Sequence, residues 1–329
     1  MKYAAVKGYK AARVVLGIGL FGSAYPASEG EKVLDYYVSH GGNVIDTGHI
    51  YANWIEGAEK SASEKFLGRY FKAHPGFRDK IILCTKGAHY SFEDPERKPR
   101  VKPECISQDV DESLALMGVD YVDFYWLHRD DKDYPVEPIM DTLFAAQDAG
   151  KIRHFGASNW TTRRIKAANQ YASSCGRDGF FGSQPQLSYV HSLDVSDKTT
   201  LYFDEEKDGQ LYLDEKLDLF AYTSQAKGYI TKVTENIPFK GNMAKNYDCP
   251  TNRERAARAV KVAAEIGGCT AEEVGLAFLH TLPYNILTIV GPRLEEQIQR
   301  SMIAGEIELT AAQAAYLAKD ETPLVRQNL

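Results

Sequence analysis

The sequence has no hydrophobic run long enough to cross a bilayer, and its N-terminus has no apolar segment of the kind found in secretory signal peptides. It also has no strong charge imbalance, because 45 acidic residues stand against 39 basic ones and the net charge is −6. Such a balance indicates neither nucleic acid nor an anionic membrane as a partner. These absences predict a cytoplasmic protein.

Cysteine is also scarce. The chain has five cysteines, and their odd number, wide scatter and lack of any CxxC pair argue against a disulfide framework and against a zinc site. The expected state is therefore a set of reduced thiols, as in most cytosolic proteins, with no metal site.

What the chain does contain is a regular alternation of short apolar segments and segments with helical periodicity, repeated about eight times without a linker. The first helix is predicted to begin at Ser28, because Glu31 follows three residues later in a capping-box pattern. Residues 1–12 suggest a small hairpin. The segments predicted as strands are residues 13–19, 44–46, 80–85, 121–127, 152–157, 180–184, 217–222 and 285–290.

A length of 329 residues allows two domains or one large α/β domain. Continuous apolar strands are typical of a parallel sheet covered on both faces, and eight of them favour a (β/α)8 TIM barrel, formed by a single domain over residues 1–329. An open dinucleotide-binding sheet is the alternative, because Gly17-Ile18-Gly19-Leu20-Phe21-Gly22 matches GxGxxG, although no acidic residue is clearly placed about 20 positions later. The acidic stretch 188–216 has no predicted structure.

Ionisable residues stand at the ends of three successive predicted strands: Asp46 is the last residue of the first, and Lys86 and His128 directly follow the other two. Tyr51 follows Asp46 by five positions. In a parallel barrel the C-terminal strand ends meet at one rim, where active sites of this fold lie. Each residue alone has an ordinary structural explanation, as a turn cap, a solvated cation, a structural histidine or a packed ring. Their coincidence at successive strand ends favours a shared catalytic site.

Together these four residues suggest proton donation to a carbonyl oxygen. A lysine beside Tyr51 is expected to lower the pKa of the phenol from about 10 towards the working range, and Asp46 would hold that lysine charged. His128 would donate a hydrogen bond to the substrate oxygen. Such a site has neither a nucleophile nor clustered metal ligands, so it requires hydride from a nicotinamide cofactor.

These motifs resemble those of the aldo-keto reductase family. Asp46-Thr47-Gly48 with Tyr51 is similar to the family's Asp-Thr-Ala turn and catalytic tyrosine, and Thr85-Lys86 and Leu127-His128-Arg129 are similar to its lysine and histidine motifs. Similar segments extend over nearly the whole chain, as in the stretch from Gly150 to Asn159. The resemblance implies a TIM barrel and a catalytic set of Asp46, Tyr51, Lys86 and His128.

The resemblance also implies where a cofactor would bind. Ser158, Asn159 and Gln184 would hold the nicotinamide carboxamide, Tyr222 would stack on the ring, and residues 223–228 would wrap the pyrophosphate, although the family usually has Ser-Pro-Leu there. Arg293, with Lys227 or Lys232, would pair with a 2′-phosphate, which favours NADP(H) and leaves NAD(H) open. Arg300-Ser301 stands where the family often has Glu-Asn. The full set of implied cofactor residues is Leu20, Asp46, Ser158, Asn159, Gln184, Tyr222, Thr223, Ser224, Gln225, Ala226, Gly228, Gly291, Arg293 and Gln297.

Aromatic residues near the motifs are predicted to form a substrate wall. Aromatic faces with Asn53 and His89 nearby suit a sugar or oxo-sugar, and they equally suit an aromatic aldehyde; ordinary packing at the rim is the third explanation. The predicted substrate-pocket residues are Phe21, Trp54, His89, Tyr90 and Trp160.

The sequence therefore predicts an NADP(H)-dependent oxidoreductase that reduces an aldehyde or ketone to an alcohol, with hydride from nicotinamide and the proton from Tyr51. Its predicted partner is a small-molecule carbonyl substrate, and the oligomeric state stays open. One alternative is a cofactor-binding sensor or regulatory subunit with slow turnover. Another is a barrel hydrolase or lyase that uses Asp46 and His128 without nicotinamide.

Overall fold

The computed structural model describes residues 1–193 and 197–320. A two-residue turn joins the first two strands, β1 (Tyr3–Val6) and β2 (Tyr9–Ala12), into an antiparallel hairpin. Both turn residues, Lys7 and Gly8, have positive φ, as the tight turns that match the twist of such hairpins require. The remaining strands are β3 (Val14–Gly17), β4 (Val44–Asp46), β5 (Ile82–Gly87), β6 (Val122–Leu127), β7 (Ile152–Ser158), β8 (Gly182–Gln184), β9 (Asp218–Ala221) and β10 (Ile286–Val290).

Strands β3 to β10 form a closed barrel in which every neighbouring pair is parallel, and β10 completes the ring by pairing with β3. Nearly every residue of these strands is buried, which is the reason for their largely apolar composition. The predicted TIM barrel is confirmed. The open dinucleotide-binding sheet is wrong, and the glycine-rich segment 17–22 begins with the last residue of β3 and continues as the loop that leaves this strand.

The barrel interior is filled by aromatic rings, and the hairpin packs against them. The ring of Trp126 lies 5.0 Å from that of Phe181 and 4.9 Å from that of Phe220, centre to centre. Ala4, Val6 and Ala11 of the hairpin belong to the same apolar cluster. The barrel is thus a packed core rather than a channel, and the end opposite the hairpin is the open one.

Helices surround the barrel, and their apolar faces pack on its outer surface. They are α1 (Ala27–Ser39), α2 (Ala62–Ala73), α3 (Pro103–Met117), α4 (Val136–Asp148), α5 (Thr162–Ser174), α6 (Glu205–Asp214), α7 (Tyr229–Thr234), α8 (Met243–Tyr247), α9 (Pro250–Ile266), α10 (Ala271–Leu279), α11 (Glu295–Ala304) and α12 (Ala311–Ala318). Across the described ranges, none of these helices combines the length and the hydropathy that a membrane span needs.

Two local expectations require correction. The predicted capping box at Ser28 is wrong, because α1 begins one residue earlier behind Pro26 and no side chain caps it. The acidic stretch that had no prediction contains α6, whose first turn is capped by the Asp204 carboxylate accepting from the backbone N–H groups of Glu206 and Lys207. Acidic residues in a first turn favour a helix through its dipole, so this signal was present in the sequence.

Candidate active site

The four predicted catalytic residues meet at the open rim of the barrel. Asp46 is the last residue of β4, and the neighbouring strand β5 carries Lys86 near its end. His128 directly follows β6, and its backbone N–H donates to the carbonyl of Gly87. Tyr51 lies in the loop after β4, so parallel strand order brings together residues that are up to 82 positions apart in sequence.

Lys86 and Asp46 form a buried ion pair at the floor of the site, with side chains 1% and 3% exposed. The Lys86 ammonium also donates to the carbonyl of Thr47 at 2.7 Å, and the Gln184 amide donates to the second oxygen of Asp46 at 3.1 Å. Burial alone disfavours the charged lysine, but the attraction of Asp46 and Tyr51 outweighs it and raises the pKa of Lys86. The ammonium therefore stays charged.

The Tyr51 ring lies over this pair. Its centroid is 4.7 Å from the Lys86 nitrogen and 5.5 Å from the centre of the His128 ring. Burial raises the pKa of the Tyr51 phenol, and Lys86 only partly opposes that rise. The expected lowering of this pKa is therefore wrong, because burial outweighs the effect of the Lys86 charge and the Asp46 carboxylate acts in the same direction as burial. Tyr51 is held as a neutral phenol that can give up a proton.

Two histidines line the site, and both are neutral. Burial lowers the pKa of His128 well below its ordinary value, and the neighbouring His89, Arg129 and Lys86 lower it further. Burial and the Arg129 guanidinium lower the pKa of His89 to about 3. The two rings are 4.6 Å apart, so neither accepts a second proton near neutral pH.

A cavity of about 260 Å³ opens above Tyr51 and His128. This volume lies just below the range of about 300–1,000 Å³ that is usual for small-molecule sites, and half of the 14 lining residues carry an aromatic or imidazole ring. The lining residues are Ile50, Tyr51, Trp54, His89, Tyr90, Phe92, His128, Arg129, Ser158, Asn159, Gln184, Asp197, Thr200 and Tyr222.

Three of the five predicted substrate-pocket residues, Trp54, His89 and Tyr90, line this cavity, and two do not. Phe21 is fully buried in the core, where its ring contacts those of Tyr25 and Phe66. Trp160 turns away because its indole N–H donates to the Arg129 carbonyl at 3.0 Å and its ring packs on Phe180. The side chains of Phe21 and Trp160 therefore pack behind the rim and not on the wall of this cavity.

Sequence reasoning missed several wall residues. Phe92 contacts Trp54 with ring centres 5.8 Å apart. Arg129 pairs with Asp197 at 3.3 Å, and the Tyr90 hydroxyl donates to the same carboxylate at 3.1 Å. Arg129 was visible in the motif beside His128, but Asp197 and Thr200 belong to the stretch without a prediction. That stretch supplies one wall of the cavity.

The residues predicted to hold the nicotinamide carboxamide lie side by side at the ends of β7 and β8. The Ser158 hydroxyl donates to the Gln184 carbonyl at 2.8 Å, and the Tyr222 hydroxyl donates to the Asn159 side-chain oxygen at 2.8 Å. Asn159 adopts a left-handed conformation with φ 60°, which turns its side chain back towards the cavity. All four of these side chains line the cavity.

The segments predicted to bind the rest of a dinucleotide converge beyond Tyr222. In the loop after β9, Thr223, Ala226 and Gly228 have positive φ. Positive φ is uncommon for residues other than glycine and marks this loop as a tight turn. The Ser224 hydroxyl anchors this loop by donating to the Ile289 carbonyl of β10 at 2.7 Å, and the Gln225 amide donates to Ser301 at 3.2 Å.

The adenosine-end residues follow β10. The Gln297 side-chain oxygen accepts from the Arg293 backbone N–H at 2.7 Å, which closes the turn that Gly291 begins. Arg300 pairs with the buried Glu273 at 2.6 Å. Leu20, the remaining predicted cofactor residue, is half-buried in the loop after β3, where its carbonyl accepts from Ser23.

One group of side chains outside the cavity has the spacing of metal ligands. Single ligand atoms of His49, Asp109 and Glu112 lie within 4.8 Å of one another. However, Arg100 donates two hydrogen bonds to Asp109, and Gln108 donates to Glu112. Existing donors therefore occupy the carboxylates that a cation would need.

Proteins of several organisms are similar to this chain along most of its length. An uncharacterized oxidoreductase of Bacillus subtilis, YcsN, is 25% identical over 85% of this chain and 84% of its own length. The aryl-alcohol dehydrogenase [NADP(+)] of Phanerodontia chrysosporium is 26% identical over 87% and 74%. The norsolorinic acid reductase stcV of Emericella nidulans is 26% identical over 96% and 79%.

The sequence model described as the aldo/keto reductase family matches residues 13–320, which include the barrel and every rim residue discussed above. The predicted resemblance is thereby confirmed, and the chain belongs to the aldo/keto reductase family.

Proposed function

We propose that this protein reduces an aromatic aldehyde to its alcohol with NADPH. The observation that carries the proposal is the convergence of the neutral Tyr51 phenol and the neutral His128 ring on one aromatic cavity, with the Lys86–Asp46 ion pair buried beneath them. This arrangement supplies a proton and a hydrogen bond to an oxygen atom bound in the cavity.

The substrate carbonyl oxygen receives a hydrogen bond from the imidazole N–H of His128 and the proton of the Tyr51 hydroxyl. The phenolate that forms on Tyr51 is stabilised by the Lys86 ammonium, which lies over the same ring. Asp46 and the Thr47 carbonyl hold that ammonium in place, so it is oriented before the reaction begins. Tyr51 is thus the proton donor, and Lys86 with Asp46 positions and stabilises its charge.

A nicotinamide cofactor fits the residues at the rim. The Gln184 side-chain oxygen has no hydrogen-bond partner among the described residues, so it is free to accept from a carboxamide. The Tyr222 ring offers a face for stacking, and the positive-φ turn that follows it presents backbone N–H groups suited to phosphate oxygens. When bound, the reduced nicotinamide supplies hydride to the carbonyl carbon.

NADP(H) is proposed over NAD(H) because exposed cations flank the predicted adenosine end. The Arg293 guanidinium and the Lys227 ammonium make no ion pair or hydrogen bond within residues 1–193 and 197–320. In contrast, the Lys232 ammonium already donates to the carbonyls of Lys227 and Gly228. Arg293 and Lys227 are therefore the proposed partners of a 2′-phosphate, and two relatives carry NADP(+) in their names.

Replacing Arg293 by alanine is expected to weaken NADPH binding about tenfold or more, because a charge-assisted hydrogen bond contributes about 1.5–3 kcal/mol. Binding of NADH, which lacks the 2′-phosphate, should change little and serves as the internal control. Isothermal titration of both cofactors into the wild-type protein and Arg293→Ala checks this. Equal weakening of both affinities would contradict the assignment.

The substrate proposal rests on the aromatic wall formed by Tyr51, Trp54, Tyr90 and Phe92. One relative is named an aryl-alcohol dehydrogenase. The direct test is NADPH oxidation by the purified protein with benzaldehydes, aliphatic aldehydes, ketones and oxo-sugars. Turnover of benzaldehydes in preference to the others supports the proposal. Turnover restricted to sugars would favour the polyhydroxylated substrate instead, and cofactor binding without turnover would favour a sensor.

The pH dependence of reduction follows from the two neutral histidines and the neutral phenol. Because the pKa of His89 and of His128 is lowered, neither gains a proton as the pH falls to about 6; because the pKa of Tyr51 is raised, its proton remains until well above about pH 9. The kcat/KM for reduction should therefore stay level between these limits. Alcohol oxidation needs the Tyr51 phenolate and should instead rise with pH. An acidic limb centred near pH 6.5 in the reduction profile would contradict the assigned states.

A further inference from the structure

The cavity contains few polar atoms that are free to contact a substrate. Each of the three nitrogens of the Arg129 side chain donates to a neighbour: Nε to Thr199, Nη1 to the His128 carbonyl and Nη2 to Asp197. Both carboxylate oxygens of Asp197 accept hydrogen bonds, from Thr199 and from Tyr90. The charged pair on the wall is thus internally satisfied.

The side chains of Asn159 and Thr200 also form their hydrogen bonds within the protein. The Asn159 amide donates to the His128 carbonyl and to Ser158, while its oxygen accepts from Leu201 and Tyr222. The Thr200 hydroxyl donates to the Asp197 backbone carbonyl at 2.6 Å. Substrate selection by hydrogen bonding therefore falls to other lining residues, and two of them are histidines.

The contact of His89 with the backbone fixes the position of its ring proton. Its Nδ1 lies 2.8 Å from the Tyr90 carbonyl oxygen, which can only accept, so Nδ1 carries the hydrogen. The pKa of about 3 means that no second proton is added near neutral pH. Nε2 therefore presents a lone pair, and no described residue donates to it.

The cavity-facing nitrogen of His128 is a hydrogen-bond donor, whereas that of His89 is an acceptor. Its Nδ1 is buried without a hydrogen-bond partner in the described part of the chain. Buried N–H groups without a partner are rarer in proteins than buried acceptors without one, so the favoured tautomer carries its hydrogen on Nε2. The two rings, 4.6 Å apart, thus present one donor and one acceptor to the same small volume.

We propose that His89 is a specificity-determining residue whose Nε2 accepts a hydrogen bond from a hydroxyl group on the substrate, close to the carbonyl that His128 and Tyr51 engage. This inference rests on the proposed function and adds to it a substrate class, the hydroxylated aryl aldehydes. The short distance between the rings places the hydroxyl ortho or meta to the aldehyde group rather than para. A cationic donor such as an ammonium is disfavoured, because the Arg129 guanidinium acts on the same ring.

The expected preference among benzaldehydes depends on the hydrogen that the substrate hydroxyl group donates to His89. A methoxyl group has similar electronic effects at the meta position but cannot donate, so it leaves the His89 lone pair unpaired in a cavity from which water has been displaced. An unsubstituted ring also leaves it unpaired, without adding bulk. Comparing all three substrates separates hydrogen bonding from size.

The test measures kcat/KM with NADPH for benzaldehyde, meta-hydroxybenzaldehyde and meta-methoxybenzaldehyde, and for the ortho pair, in wild type, His89→Phe and His89→Gln. Wild type is expected to prefer the hydroxyl compound at one of the two positions over both comparators by at least about tenfold. His89→Phe keeps a flat ring of similar size and should reduce that preference, taken as the ratio of kcat/KM values within the variant, to within about twofold. His89→Gln, whose side-chain oxygen can accept, should restore part of the preference.

The outcomes separate the two proposals. Reduction of benzaldehyde by wild type with no hydroxyl preference at either position would overturn the role of His89 and leave the reductase assignment intact. A preference that persists in His89→Phe would overturn it as well, because the acceptor would then lie elsewhere. Absence of turnover with every aldehyde would overturn both. Thermal melting of each variant with NADPH present excludes loss of the fold as the cause.

Discussion

Replacing Tyr51 by phenylalanine is expected to lower kcat for aldehyde reduction by about 10³-fold, within the range that a positioned general acid contributes. The variant removes one oxygen atom and keeps the ring, which lies against the Lys86 ammonium and makes a T-shaped contact with the His128 ring. A loss of kcat would therefore result from the missing hydroxyl proton and not from altered packing of the ring. Single-turnover reduction with NADPH in excess measures it directly.

NADPH affinity is the control for this variant. The proposed cofactor contacts come from Ser158, Gln184 and the loop after β9, and the Tyr51 hydroxyl is not among them. Calorimetric binding of NADPH should therefore be unchanged in Tyr51→Phe. A rate loss of less than about tenfold would show that another group, or water, delivers the proton.

Replacing Lys86 by methionine is expected to abolish most turnover and also to destabilise the fold. The side chain of Asp46 would remain buried with only the Gln184 amide as a donor, and breaking a buried pair from one side typically costs about 3–5 kcal/mol. Burial already raises the pKa of Asp46, so this carboxyl would become protonated in the variant. Urea unfolding gives the stability change and NADPH oxidation gives the rate.

The double variant Asp46→Asn, Lys86→Met separates the loss of turnover from the loss of stability. It removes the unpaired carboxylate, so we expect the free energy of unfolding to recover by several kcal/mol relative to Lys86→Met alone. Turnover should not recover, because the phenolate of Tyr51 still has no cation beside it. Recovery of activity together with stability would show that the pair acts only by holding the rim together.

The barrel could be predicted because the alternation of apolar and helix-periodic segments is repeated about eight times along the chain. Most residues of the eight strands are buried, so most of the strands read as apolar segments, and helical periodicity fills the gaps between them. The positions of Asp46, Lys86 and His128 followed from the same rule, since the carboxyl ends of parallel strands share one rim. No side-chain contact had to be known in advance.

The walls of the cavity were harder to predict, because loops rather than strands carry them. Phe21 and Phe92 each follow a barrel strand within a few residues, yet one is buried behind α2 and the other stands at the mouth. The backbone path of each loop decides this, and composition does not encode it. Asp197 gave no signal at all, because its role depends on meeting Arg129, 68 positions earlier in the sequence.

The missed helix α6 has a physical explanation. Gly209 lies in its middle, where glycine costs about 1 kcal/mol relative to alanine, and this weakens the helical pattern. The structure needs that glycine, because a Cβ there would lie 2.2 Å from the Tyr284 hydroxyl oxygen. Tertiary packing against a residue 75 positions away thus overrides local propensity.

The position of Trp54 at the mouth of the cavity has an optical consequence. The chain has three tryptophans, and Trp126 and Trp160 are buried while Trp54 is 47% exposed and contacts the Tyr51 ring. A dissolved quencher such as acrylamide therefore reaches Trp54 in preference to the other two indoles. An aldehyde that fills the cavity should shield Trp54 from the quencher, so less of the emission would be quenched. This change would follow binding in real time, with no label attached to the protein.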